Sequence, residues 1–154
     1  MLKPKLEAVP AFLPYGRQEI GDADIRAVVE ALTSGWLTTG PRVAQFEQAF
    51  ASHCGAAEAV AVNSGTAALH CAMRSIGAKA VVEIIVPALT FAASANAALY
   101  EGAGPVFADV EADTLLIDPV SVAMKITPRT RAIVAVDYAG QPADYDALRG
   151  LARD

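Results

Sequence analysis

Residues 81–86 read Val-Val-Glu-Ile-Ile-Val, an almost unbroken apolar run rich in β-branched side chains. Such a run suits a strand covered on both faces, since a wet face would place polar residues at alternate positions. Further runs of strand character occur at 58–62, 105–108 and 132–136. Helical patterns follow them at 65–76, 91–100, 118–126 and 143–152, the third opened by Asp118 as N-cap and Pro119 in the first turn. Strands alternating with helices predict an α/β fold, a mostly parallel sheet between two helical layers.

Two helices precede this alternation. Residues 22–34 place Ile25, Val28, Val29 and Leu32 at i, i+3, i+4 and i+7, with Asp22 as N-cap and Gly35 as the stop. Residues 35–41, Gly-Trp-Leu-Thr-Thr-Gly-Pro, form a loop, and Pro41 suits the first turn of a helix over 41–54. Val43, Phe46 and Phe50 share one of its faces.

Open parallel sheets bind ligands beyond the carboxyl ends of their strands. Four segments are therefore expected to converge: 63–66, 87–91, 109–111 and 137–141. The tightest corner is Ser64-Gly65-Thr66, between the run at 58–62 and the helix that begins at once after it. A helix start presents unpaired N–H groups and a partial positive charge, a ready site for an anion such as phosphate. Two hydroxyls can donate there, and glycine admits an oxyanion to the backbone. The same residues also serve as an ordinary N-cap, so the corner alone leaves both uses open. Neither G-x-x-x-x-G-K-[ST] nor G-x-G-x-x-G is present. Phe91, beside Thr90 past the second strand, suits either stacking on a flat ring or the start of a helix core. Asp137 and Tyr138, at the end of the fourth strand, suit a polar ligand, and Asp137 equally suits a loop cap or an arginine partner.

Composition narrows the functions. The 154 residues carry 54% hydrophobic and 19% charged side chains, enough apolar surface for one folded domain. A net charge of −5 and the lack of a basic stripe argue against nucleic acid as partner. Cys54 and Cys71 lack metal-ligand spacing and read as reduced thiols of a cytoplasmic protein. His53 and His70 have no ligand partners, so no metal site is expected. Pro4, Pro10 and Pro14 interrupt the opening segment, which does not read as a signal peptide, and charges interrupt 78–100, which does not read as a membrane span.

Four stretches together resemble a known family. They are residues 14–51, 59–73, 86–119 and 126–148, which contain "GWLTTGP", "VNSGTAALH", "VPALTFAASANAALY" and "VDYAGQPADYDAL". In wording and order they resemble the opening part of DegT/StrS-type aminotransferases. These are pyridoxal 5'-phosphate enzymes of the aspartate-aminotransferase fold (fold type I) that aminate keto sugars carried on nucleotides. The resemblance spans about residues 13–151. It is nearest to enzymes that act on UDP-linked 4-keto-6-deoxy sugars, as in pseudaminic-acid biosynthesis.

The resemblance implies a role for each matching residue. Ser64, Gly65, Thr66 and the N–H of Ala67 would hold the cofactor phosphate, and Phe91 would stack on the pyridine ring. Tyr15, Trp36, Leu37 and Thr38 would border the sugar nucleotide, with Asp137 and Tyr138 near the cofactor. Residues 1–21 would be an arm, and 22–154 the first part of the large domain of a homodimer. The amino donor would be an amino acid, glutamate in the first instance. The family's Gly-rich turn and Asp-Glu pair after the "SGTAALH" helix are missing here, where Lys79 and Glu83 stand instead, a change expected to touch only a surface turn. The family's pyridine-binding aspartate and Schiff-base lysine both fall after this chain's last residue, Asp154. Lys3, Lys5, Lys79 and Lys125 are the only lysines, all in segments expected to be solvated, so the isolated chain is expected to be inactive. The strand at 58–62 would also lack its neighbour, which comes late in that fold. A sugar dehydratase on the same cradle and a non-catalytic phosphate-binding remnant are the alternatives.

Overall fold

The computed structural model describes residues 16–152. The chain divides after Ala61 into two compact units, each considered by itself.

The first unit holds helices α1 (Asp22–Thr33) and α2 (Pro41–Cys54). Gly21, not Asp22, is the N-cap of α1, because the Asp24 carboxylate reaches back to accept the Gly21 N–H at 2.8 Å. Pro41 occupies the first turn of α2 as expected, and Gly55 ends it in the left-handed conformation that glycine tolerates, φ 65°. Ile25, Val28, Val29 and Leu32 of α1, and Val43, Phe46 and Phe50 of α2, stand exposed. The expected strand over 58–62 does not form. Strand geometry persists through ladder hydrogen bonds, and Ala61 instead donates its N–H to the Glu47 carboxylate at 2.8 Å.

The second unit is a three-layer α/β/α structure. Its sheet has the order β2-β1-β3, with β1 (Glu83–Pro87) parallel to both β2 (Gly104–Ala108) and β3 (Thr130–Ile133). Ile85 pairs with Val106 on one side and Ile133 on the other. Side chains of the central strand alternate between two cores, which explains why its sequence is apolar throughout. Ile84 and Val86 pack with Met73 of α3 (Gly65–Ser75) and with Ala97 and Ala98 of α4 (Ala93–Tyr100). Ile85 packs with Val122 of α5 (Pro119–Lys125) and Leu148 of α6 (Tyr145–Leu151) on the opposite face.

Several boundaries differ from the sequence expectation. β1 begins at Glu83, because residues 79–82 form a turn in which Val82 donates its N–H to the Lys79 carbonyl at 3.1 Å. Val81 is left-handed there, φ 68°, and 80% exposed. Lys79 and Val81 thus lie in a turn at the surface. β3 stops at Ile133, although Val134 still donates to the Ile85 carbonyl at 2.8 Å. α6 starts at Tyr145, because the Asp144 carboxylate caps the Ala147 N–H at 3.0 Å.

Ion pairs brace the second unit. Glu101, at the end of α4, accepts from Arg74 at 3.0 Å and lies 2.8 Å from the ring nitrogen Nε2 of His70, linking α4 to α3. The His70 hydrogen bond, helped by Arg74, holds its carboxyl below the ordinary value. Glu83 accepts from Thr127 at 2.5 Å and also from Arg129, and both lower its pKa.

Candidate functional site

At the corner between residue 62 and α3, Ser64 is extended, φ −164°, and its Oγ accepts the Ala67 N–H at 3.1 Å. That is N-cap geometry. The Ser64 O–H donates to Asn63 Oδ1 at 3.4 Å, a long bond, and the Gly65 and Thr66 N–H groups have no intrahelical acceptor. The Ala67 N–H, expected to face a ligand, is already engaged by the cap. Gly65 is demanded by nothing in the chain itself. Its backbone is not left-handed, and a Cβ built there would meet no atom within 4 Å. Such a Cβ would project only into open space at the helix start, the space an oxyanion would need.

That space is part of a cleft of about 640 Å³ lined by Gly65, Thr66, Ala68, Leu69, Ala72, Phe91 and Ala93. The structure therefore brings the hydroxyl corner of α3 and the aromatic ring before α4 to one hollow. Phe91 lies outside α4, which begins only at Ala93, and is 78% exposed. It is thus a free ring face and not the start of the helix core. Leu69 and Ala72 were not singled out by sequence. Their i+4 and i+7 spacing from Gly65 puts them on the same helix face, a signal the sequence did carry.

The remaining sequence candidates lie elsewhere. Asp137 Oδ1 accepts the Ala143 N–H at 3.1 Å and the Tyr145 O–H at 2.8 Å, so its visible work is to close the loop onto α6. The hydrogen bond to Asp137 raises the Tyr145 pKa, because ionisation would break it beside a carboxylate. Tyr138 is half-buried in a short 3₁₀ turn, Tyr138–Gly140. Neither Asp137 nor Tyr138 is among the residues that line the cleft. In the first unit, Trp36, Leu37 and Thr38 share a hollow of about 210 Å³ with Arg42 and Glu30, which are paired at 2.9 Å. A Cβ on Gly40 would meet the Trp36 Cβ at 2.7 Å, so glycine there allows Trp36 to lie against the start of α2. Tyr15 lies outside the described residues.

A further hollow of about 520 Å³ in the first unit is lined by Glu47 and Glu58 among others. Its carboxylates make it a poor host for an anion. Among the described residues no group of three or more His, Cys, Asp or Glu could hold a metal, and no helix is long and apolar enough to cross a membrane. Cys54 and Cys71 are free and exposed.

Known proteins share this sequence and this fold. The chain is 48% identical over 143 residues to the spore coat polysaccharide biosynthesis protein SpsC of Bacillus subtilis (strain 168), covering 93% of this chain and 37% of that protein. The putative sugar aminotransferase Spr1654 from Streptococcus pneumoniae, in its PMP-form, superimposes with a TM-score of 0.84 at 37% identity, covering 90% of this chain and 35% of that one. Helicobacter pylori PseC, an aminotransferase involved in the biosynthesis of pseudoaminic acid, gives a TM-score of 0.84 at 34% identity, over 91% of this chain and 38% of its own. The chain thus spans little more than a third of the length of these relatives. The profile of the DegT/DnrJ/EryC1/StrS aminotransferase family matches residues 18–154, and the chain belongs to that family.

Proposed function

We propose that this chain supplies the phosphate and ring contacts of a pyridoxal 5'-phosphate site in a sugar aminotransferase. The observation that carries the reading is the single cleft shared by Gly65 and Thr66, at the start of α3, and the exposed Phe91 ring. The residues fit the cofactor. Its phosphate matches the free N–H groups and hydroxyls around the gap left by Gly65, and its flat ring matches the Phe91 face. When bound, the cofactor supplies an electron sink that lets an amino group pass between carbon atoms. The chain's own residues bind and orient it. Thr66 donates to the phosphate, Ser64 does so by turning its O–H from the long bond to Asn63, Phe91 limits the tilt of the ring, and Leu69 and Ala72 exclude water from one side of the cleft.

The described lysines do not complete this site. Lys79 sits exposed in a turn and Lys125 exposed in the last turn of α5, and neither lines the cleft. The covalent anchor of the cofactor is therefore assigned to neither, and the chain by itself is proposed to be inactive. The whole protein would take an amino group from an amino acid, glutamate in the first instance, and deliver it to a keto sugar linked to a nucleotide. Names of relatives support a product used in surface polysaccharide or pseudaminic-acid-type synthesis. Trp36, Leu37, Thr38, Asp137, Tyr138 and Tyr15 are proposed sugar-nucleotide contacts, residues 22–154 part of the enzyme's large domain, and a cytoplasmic homodimer the working form.

The test is equilibrium dialysis of the chain against pyridoxal 5'-phosphate with inorganic phosphate as competitor, followed by borohydride reduction and mass analysis. Saturable binding displaced by phosphate, weakened by Phe91→Ala and leaving no reduced adduct on Lys79 or Lys125, is expected. Absence of binding, or binding indifferent to phosphate and to Phe91, would overturn the reading.

A further inference from the structure

A ring that is 78% exposed has few neighbours to fix its plane, yet stacking requires a fixed plane. The orientation of Phe91 must then come from the turn that carries it. Helix α4 has no side-chain cap: its N-cap residue is Ala92. Two other bonds hold the turn. The Ser94 N–H donates to the Phe91 carbonyl at 3.0 Å, and the Ser94 and Thr90 hydroxyls share a hydrogen bond of 2.8 Å. Ser94 is only 5% exposed, one of two buried polar residues among those described. The pair spans Phe91 from both sides, joining the residue before it to the first turn of α4. A buried hydroxyl costs free energy unless bonded, so each partner holds the other in place. Alanine at 94 would keep the helix and lose the tie.

We infer that Thr90 and Ser94 are positioning residues that set the Phe91 ring for stacking, without touching the ligand themselves. The inference rests on the proposed cofactor site and adds to it a division of labour. The α3 corner binds phosphate independently of the latch, and only the ring contact depends on it. Losing a stacking geometry weakens binding by about five-fold.

The experiment measures dissociation constants of pyridoxal 5'-phosphate and of inorganic phosphate separately, with the induced circular dichroism of the pyridoxal band, on the intact chain. Ser94→Ala and Thr90→Val are expected to weaken pyridoxal 5'-phosphate by about five-fold and to reduce its dichroism, with phosphate affinity unchanged. Ser94→Thr, which keeps the hydroxyl, is expected to restore both. Wild-type behaviour of Ser94→Ala toward pyridoxal 5'-phosphate would overturn the inference and leave the cofactor site standing. Equal weakening of both ligands would also overturn it, since that marks general loss of structure. If the wild-type chain binds phosphate but not pyridoxal 5'-phosphate, the cofactor reading falls and this inference falls with it.

Discussion

The Ser64 hydroxyl serves as a helix cap in the structure, and it stands next to Gly65, where the proposed anion site begins. Two substitutions pull these roles apart. Ser64→Ala removes the acceptor of the Ala67 N–H, a bond of 3.1 Å. Loss of such a cap costs about 1 kcal/mol. Ser64→Asp keeps an acceptor at the same place and adds a negative charge to the positive end of α3, which leaves stability unchanged or raises it by about 0.5 kcal/mol. Phosphate responds in the opposite order. Alanine removes one donor, worth about 1 kcal/mol or roughly five-fold in affinity. Aspartate sets a carboxylate about 4 Å from a phosphate oxygen, where repulsion runs from about 1 kcal/mol in water to about 4 kcal/mol in a less polar site. Ser64 is exposed, so the lower part of that range applies, roughly ten- to thirty-fold weaker binding. Stability is expected to run Asp at or above Ser, then Ala; phosphate affinity is expected to run Ser, then Ala, then Asp. Urea denaturation reads the first series, and equilibrium dialysis at low ionic strength reads the second. If the aspartate variant binds phosphate as tightly as wild type, the corner is a cap and nothing more.

The other predictions concern the scaffold. Ile85→Ala, at a fully buried residue of the central strand, is expected to destabilise the second unit by about 3 kcal/mol, seen as a lower urea midpoint with an unchanged slope. Val81→Gly is expected to stabilise it by about 1 kcal/mol, since a β-branched residue at φ 68° is strained and its exposed side chain contributes little packing; a lower melting temperature would contradict that account. Glu83 and Glu101 both have pKa values depressed below the ordinary 4.5 in the folded state. Their contribution is therefore present above about pH 4.5 and lost as pH falls through the depressed values, and Glu101→Gln is expected to flatten that acid limb in melts recorded from neutral pH downward.

Comparison of particular residues shows what could be read before the fold was known. Pro41 and Gly55 bracket α2 by local rules alone, because each acts through its own backbone angle. Asp118 before Pro119 placed α5 in the same way, with the Asp118 carboxylate accepting the Val120 N–H at 2.8 Å. The run at 58–62 has equal strand propensity but forms none, because a strand exists only with a partner and propensity names no partner. Phe91 carried two readings, core or stacking face, and local pattern alone favoured the core. They were separated when α4 began two residues later than its periodicity suggested. The Ser94 latch was invisible for a related reason: a serine within an alanine-rich helix reads as neutral until its burial is known.

The sequence by itself determined the alternation of elements from α3 onward, the doubly covered central strand and the hydroxyl-glycine start of α3, since these depend on side-chain period and local capping. It also carried the family, through four motifs in fixed order. Only the tertiary structure decided that Gly65 and Phe91 share one cleft, and that the first bond of Asp137 is to its own loop. It also decided that the Ala67 N–H is already taken by the cap. Those outcomes depend on contacts between residues distant in the chain, or on competition between acceptors for one donor, and neither is encoded in any single segment.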